Sequence, residues 1–292
     1  MGALDGRIAI VTGAGRGLGR EYALRLAAEG ATVVVNDVGA AEDGSTSTAN
    51  ADPGAAATVV AEIEEHGGRA LANADDVSTW AGAESLVVST VDALGGVDVL
   101  VNNAGILRDR LIVNMTEDEW DDVVRVHLKG HFAPTRFAAA FWRAEHKADR
   151  GRPRRIVNTS STSGLMANPG QSNYGAAKSG IATFTQIAAK ELARYDVRCN
   201  CIAPAARTRL TMASPGLHDI MAPSDGRFDE WDPANIAPLV VYLASERCRF
   251  NGELFYAQGG TVQRVRSWDL DGIVRTDGPW DVAGLADALD QL

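Results

Sequence analysis

The tightest constraint on this chain lies near its start. A β-branched run over residues 7–12 leads without a break into Thr12-Gly13-Ala14-Gly15-Arg16-Gly17-Leu18-Gly19, and an Ala- and Leu-rich helical stretch follows over 18–28. A strand that turns on glycines into a helix opens a βαβ unit. Gly13 permits the sharp turn, Gly17 lets backbone come close to a bound group, and Gly19 lets the helix lie on the strand. The N–H groups at the helix start, beside Arg16 and Leu18, then face an anion seated over the turn, and a pyrophosphate suits that cradle.

The alternation continues along the chain. Short β-branched runs at 7–12, 32–37, 69–73, 97–101, 155–158, 197–202 and 253–256 predict seven strands, and 3.6-periodic segments at 18–28, 55–66, 81–93, 120–145, 173–195 and 233–244 predict helices between them. Right-handed crossovers in that order give an α/β fold: one doubly wound Rossmann domain, its sheet mostly parallel with helices on both faces. No linker divides the chain, so residues 1–263 are expected to form this domain and 264–292 a C-terminal extension ending in a short helix at 283–292. Residues 38–54 and 205–231 exceed what the fold needs. The first reads as a polar surface loop, and the second follows a strand's carboxyl end, where ligands bind in such sheets.

With 38 acidic residues against 28 basic ones, the formal charge is −10. Phosphate-rich partners want a basic footprint, so a nucleic-acid or membrane-surface role is not expected. No apolar run is long enough to span a bilayer, and residues 1–7 lack a signal-peptide layout. The three cysteines, two of them at 199 and 201, suit neither a disulfide framework nor a metal site. A cytoplasmic protein with reduced thiols is the expectation.

Asp37 closes the second strand 24 residues after Gly13, where a carboxylate can accept hydrogen bonds from both hydroxyls of an adenosine ribose and would repel a 2′-phosphate. NAD is therefore expected over NADP. After the third strand, Asn73-Ala74-Asp75-Asp76-Val77 can offer a carboxylate and a backbone amide to an adenine edge, and Asp75 and Asp76 can equally cap the helix that follows.

A second constellation lies in TSSTSGLMANPGQSNYGAAKSG, residues 159–180. Tyr174 and Lys178 stand at i and i+4 on one helix face, so the ammonium can approach the phenol. A phenol is a poor base at neutral pH, and a nearby cation favours its anion, which makes Tyr174 a usable general acid and base. Ser161, just past a strand's carboxyl end, can hydrogen-bond a substrate oxygen. Lys178 can also hold the nicotinamide ribose next to Tyr174, so that hydride moves between a carbinol carbon and the nicotinamide.

These residues resemble the short-chain dehydrogenase/reductase family over roughly residues 5–262: TGxxxGxG at 12–19, Asn102-Asn103-Ala104-Gly105 after the fourth strand, Ser161, and Tyr174-x-x-x-Lys178. The resemblance implies cofactor contacts at Asn103, Ala104 and Gly105, and an adenine contact at Asp76. A narrower likeness lies in VVVNDVG at 33–39, NNAGILRDR at 102–110, VHLKGHF at 126–132 and GQSNYGAAKSG at 170–180, which resemble the (3R)-hydroxyacyl-CoA dehydrogenase part of peroxisomal multifunctional enzyme type 2 and bacterial hydroxysteroid dehydrogenase relatives. That subgroup implies oxidation of a (3R)-3-hydroxyacyl-CoA in fatty-acid or sterol side-chain β-oxidation. The alternative is a 17β-hydroxysteroid or another free, steroid-like ketone or alcohol.

Two positions depart from the broad pattern. His127 stands where most members have an asparagine that bends the helix and holds a relay water. It is either part of the catalytic set or a satisfied buried histidine. After Pro204 the usual glycine is Ala205, and the family's carboxamide-binding threonine maps to Thr208, with Thr211 as the other choice. A CoA ester would want cations at the mouth, for which Arg108, Arg110, Arg207 and Arg209 stand available. A steroid would want an apolar slot, for which Met166, Leu210, Met212, Leu217, Met221 and Trp231 are at hand. The family also implies a homodimer or homotetramer built on the long helices, although Phe132, Phe137, Phe141 and Trp142 could equally be core. A non-catalytic dinucleotide-binding role is the reading from another class, since fold alone does not fix function.

Overall fold

The computed structural model describes residues 2–45, 51–212, 221–222, 226, 228–266 and 271–292. The strands are β1 (Ile8–Thr12), β2 (Thr32–Asn36), β3 (Arg69–Asn73), β4 (Val99–Asn102), β5 (Arg154–Thr159), β6 (Val197–Pro204), β7 (Leu254–Gln258) and β8 (Thr261–Val265). They form one sheet in the order β3-β2-β1-β4-β5-β6-β7-β8, parallel throughout except for β8. The sheet therefore has eight strands rather than seven. β8 is an exposed antiparallel edge, joined to β7 through Gly259 and Gly260, and it crosses the expected boundary at residue 263.

The helices are α1 (Gly17–Ala28), α2 (Ala55–Glu65), α3 (Trp80–Leu94), α4 (Glu117–Val124), α5 (Gly130–Lys147), α6 (Ser163–Met166), α7 (Ser172–Leu192), α8 (Arg209–Met212), α9 (Ala237–Ala244) and α10 (Val282–Leu289). The central strands are apolar on both faces, as parallel strands covered by helices must be. Val33, Val35, Val99 and Val101 pack on one side with α1, α2 and α9. Ile10, Val34, Leu100 and Ile156 pack on the other with α3 and α5, where Trp142 and Phe137 are core. Phe132 is not: it lies exposed on α5 near Trp80 and Phe184. Among the described residues no helix is long and apolar enough to cross a membrane.

The predicted helix over 120–145 is two helices joined by a π turn, Arg125–Lys129, with His127 at its centre. Such a turn inserts a residue into the i→i−4 ladder and frees a carbonyl, and it recurs at functional sites. At their carboxyl ends the strands close in hydrogen-bonding side chains. Asn36 donates to Asn73 Oδ1 (2.7 Å), Asn102 to Asn158 Oδ1 (2.9 Å), and the Thr12 hydroxyl accepts the N–H groups of Asn103 (3.0 Å) and Ala104 (3.2 Å).

Candidate active site

A cavity of about 510 Å³ opens at the carboxyl ends of β1, β2 and β4, the point where strand order reverses. Gly13, Arg16, Gly17, Leu18, Gly19, Asp37, Asp76, Val77, Asn103, Ala104, Gly105 and Thr208 all line it. The glycines are required by close approach. A Cβ on Gly13 would meet Ala104 Cα at 2.7 Å, and one on Gly19 would meet the Gly13 carbonyl oxygen at 2.1 Å. Asn103 fixes the turn from the other side, donating to the carbonyls of Thr12 and Gly13, each at 3.1 Å. The cradle left beside the glycine turn fits the pyrophosphate of a dinucleotide.

Asp37 is held at both oxygens: Oδ2 accepts the Gly15 N–H (2.8 Å) and Oδ1 the Gly39 N–H (2.7 Å). Asp76 lines the cavity and accepts the N–H and hydroxyl of Ser78, and the N-cap of α3 is Thr79 rather than Asp75 or Asp76. Thr208, and not Thr211, lines the cavity, with its Cγ2 3.6 Å from where a Gly17 Cβ would stand. Part of the segment after β2 belongs to the wall as well. Ala40, Ala41, Glu42 and Gly44 line the cavity, which composition alone did not suggest for a polar loop.

The lining stops short of Ser161, Tyr174 and Lys178, which gather one step further along the same strand ends. Ser161 follows β5, and its Oγ accepts the Ser163 N–H (3.2 Å), leaving its own hydrogen to donate. Tyr174 is placed by Asn173, whose amide donates to the carbonyls of Arg108 (3.0 Å) and Glu119 (2.9 Å) while its oxygen accepts the Tyr174 N–H (2.7 Å). Lys178 is buried, with its Nζ donating to the Thr159 carbonyl (2.7 Å) and standing 5.4 Å from the Tyr174 ring centre.

Burial lowers the Lys178 ammonium to about 7, with the Cys201 thiol pulling weakly the other way. For Tyr174 burial outweighs every other effect and raises the phenol, against the Ser161 hydroxyl that hydrogen-bonds it. The expected lowering of Tyr174 by the cation does not prevail here, because burial dominates, and the ammonium hydrogen-bonds the Thr159 carbonyl.

His127 links the two ends of the site. Its ring meets Tyr174 edge to face at 5.0 Å, and it packs so closely on Gly105 that a Cβ there would stand 2.3 Å from His127 Cε1. Nε2 meets the Ile106 peptide, 2.7 Å from its oxygen and 3.1 Å from its nitrogen, while Nδ1 is buried without a partner among the described residues. Burial lowers the imidazole well below its ordinary range, so the ring is neutral. Gly105→Ala is expected to cost about 1–3 kcal/mol through overpacking against this ring, read as a lower thermal midpoint; an unchanged midpoint would show that the ring is free to move aside.

The arginines that the sequence offered for a CoA ester are each ion-paired. Arg108 pairs with Asp122 (3.2 Å), Arg110 with Glu119 (2.8 Å), Arg209 with Glu42 (2.9 Å), and Arg207 with Asp229. The apolar set is scattered too. Met166 is exposed, Leu210 lines the dinucleotide cavity, Met221 is buried, and Leu217 lies outside the described residues. Unforeseen is a polar chain beside Ser161: Ser163 Oγ donates to Gln171 Oε1 (2.7 Å), and Gln171 Nε2 to Asp109 (2.7 Å). Gln171 precedes Tyr174 by three residues, so its proximity in sequence was the available signal.

Comparison with known proteins bears on what this arrangement belongs to. The family model for short chain dehydrogenases matches residues 7–215. The chain is 45% identical to hydroxyacyl-CoA dehydrogenase ChsB1 of Mycobacterium tuberculosis, over 98% of this chain and 88% of that protein. It is 43% identical to peroxisomal multifunctional enzyme type 2 of Mus musculus over 93% of its own length, which is 34% of that larger protein. A crystal structure of a short chain dehydrogenase from Mycobacterium avium superposes with a TM-score of 0.86 at 46% identity, covering 99% of this chain and 96% of that one. The chain is an oxidoreductase of the short-chain dehydrogenase family, built for a nicotinamide dinucleotide and resembling the dehydrogenase domain of multifunctional enzyme type 2.

Proposed function

We propose that this dehydrogenase oxidises a (3R)-3-hydroxyacyl-CoA to the 3-ketoacyl-CoA in fatty-acid or sterol side-chain β-oxidation, with NAD as its dinucleotide. The observation that carries the reading is the gathering of Ser161, Tyr174, Lys178 and His127 beside the glycine-lined cavity. The printed names of relatives matched over most of this chain supply the substrate class. Asp37, fixed at both oxygens by backbone N–H groups, supports NAD over NADP, since its charge opposes a 2′-phosphate.

Glycine turn, Asp37, Asn103 and Thr208 would hold the dinucleotide, which when bound supplies the acceptor for the carbinol hydride. Ser161 donates its hydrogen to the substrate oxygen, and Tyr174 Oη, having first given up its own proton, takes the hydroxyl proton as the phenolate while the ketone forms. Lys178, with its Nζ 5.4 Å from the Tyr174 ring centre, stabilises that phenolate in its ammonium form. His127 stays neutral and holds the π turn against Gly105 and Tyr174.

The paired mouth arginines favour one alternative, a free 17β-hydroxysteroid that needs no cations. Offering (3R)- and (3S)-3-hydroxyacyl-CoA esters and 17β-hydroxysteroids with NAD separates the two. The reading expects turnover of the (3R) thioesters, and turnover confined to free steroids would replace it. In the same assay Asp37→Ser is expected to raise relative use of NADP at least about tenfold, since a like-charge contact near a surface is worth roughly 1–4 kcal/mol; an unaltered preference would remove Asp37 from that role. Exposed Trp80, Phe132 and Ile187 support a homo-oligomer formed on the long helices, and the three buried thiols suit a cytoplasmic setting.

A further inference from the structure

His131 lies one turn beyond His127, buried in the first turn of α5, and no step above uses it. Its Nδ1 is 2.7 Å from the His127 carbonyl oxygen in the π turn, and its Nε2 is 3.3 Å from the Thr159 amide nitrogen at the end of β5. A peptide N–H can only donate, so Nε2 accepts, and the ring proton resides on Nδ1 and is donated to His127. The imidazole thus joins two backbone groups that carry the site. One belongs to the residue whose ring faces Tyr174, and the other to the residue whose carbonyl accepts the Lys178 ammonium.

We propose that His131 is a positioning residue, a neutral clamp between the π turn and β5 that fixes the carbonyl acceptor of Lys178 and the approach of His127 to Tyr174. The groups that bear on it are the Lys178 ammonium from α7, His127 from the π turn, and the uncharged Asn102 and Thr159 from β4 and β5. Burial, with the Lys178 charge adding to it, lowers His131 to about 3, so the clamp keeps one tautomer across the working range of the enzyme. Asn102 Nδ2 stands 3.4 Å from the His131 carbonyl oxygen, within reach of donating to it, and so ties the same turn to β4.

The inference rests on the reading of Tyr174 and Lys178 as the proton-handling pair, and the two fail separately: a Tyr174→Phe enzyme with full turnover defeats that reading whatever happens at 131. The test is the pH profile of kcat, with NADH affinity followed by fluorescence. His131→Phe keeps the ring volume and removes both hydrogen bonds; it is expected to lower kcat about tenfold or more and move the profile's midpoint by about half a unit or more. His131→Gln, which can donate and accept, is expected to recover much of both. Where the Phe variant does not fold, His131→Asn, too short to keep both bonds, is read in its place. A variant that binds NADH normally and keeps the wild-type midpoint and kcat overturns the proposal, as does an equal loss in Phe and Gln with the midpoint unmoved.

Discussion

Tyr174→Phe is expected to lower kcat about 10²–10⁴-fold while leaving folding and NADH affinity near wild type, because it deletes one oxygen and nothing else. Phe fills the same volume, and the ring's packing against His127 does not use the hydroxyl. What is lost is the atom that exchanges the substrate proton, and neither neighbouring base of the set replaces it. Lys178 points its nitrogen at the Thr159 carbonyl, and His127 is held neutral by burial. Steady-state rates with NADH titration as the control decide it. A Phe variant within about tenfold of wild type would mean that the proton leaves by another route and that Tyr174 is not the general acid and base.

Asp98→Asn should have the largest effect on stability while sparing the chemistry. Asp98 is fully buried at the amino ends of β1, β4 and β5, where it accepts the Ile8 N–H (3.0 Å) and pairs with Arg152 (2.7 Å) and Arg154. Arg154 is itself buried, and desolvation together with neighbouring Arg7 lowers its guanidinium to about 10. Removing the carboxylate charge leaves that cation uncompensated, at a cost of about 3–5 kcal/mol. At roughly 2–4 °C per kcal/mol for a chain of this size, the thermal midpoint should fall by about 6–20 °C. The active residues lie at the opposite ends of the strands, so activity per folded molecule should hold. An unchanged midpoint would show that Arg154 is satisfied without its carboxylate.

The architecture was legible because its signals are local. A β-branched run, a glycine turn and a periodic helix repeat along the chain, and their order fixes a parallel sheet. β8 escaped because Thr261 to Val265 is exposed and follows no core period, although Gly259-Gly260 between two β-branched runs is a hairpin signal. At the site, residue identity and spacing named Ser161, Tyr174 and Lys178, and the structure gathers them. Spacing could not show that residues 125–129 form a π turn, since a single inserted turn shifts the apolar phase over too few residues to register as a change of period. Nor could it show that each mouth arginine meets a carboxylate, because Glu42 and Arg209 are 167 positions apart and meet only across the folded cleft. His131 stayed hidden for the same reason: its partners come from a π turn and a strand end.

The most direct test of the central claim is isotope transfer. A (3R)-3-hydroxyacyl-CoA carrying deuterium on its carbinol carbon is incubated with NAD and the wild-type protein, with Tyr174→Phe in parallel, and the reduced dinucleotide is analysed by mass spectrometry. The account predicts deuterium in the NADH formed by the wild type, matched by 3-ketoacyl-CoA, with little of either from the Phe variant. Deuterium retained in unreacted thioester, with NADH formed only from free hydroxysteroids or not at all, would contradict it.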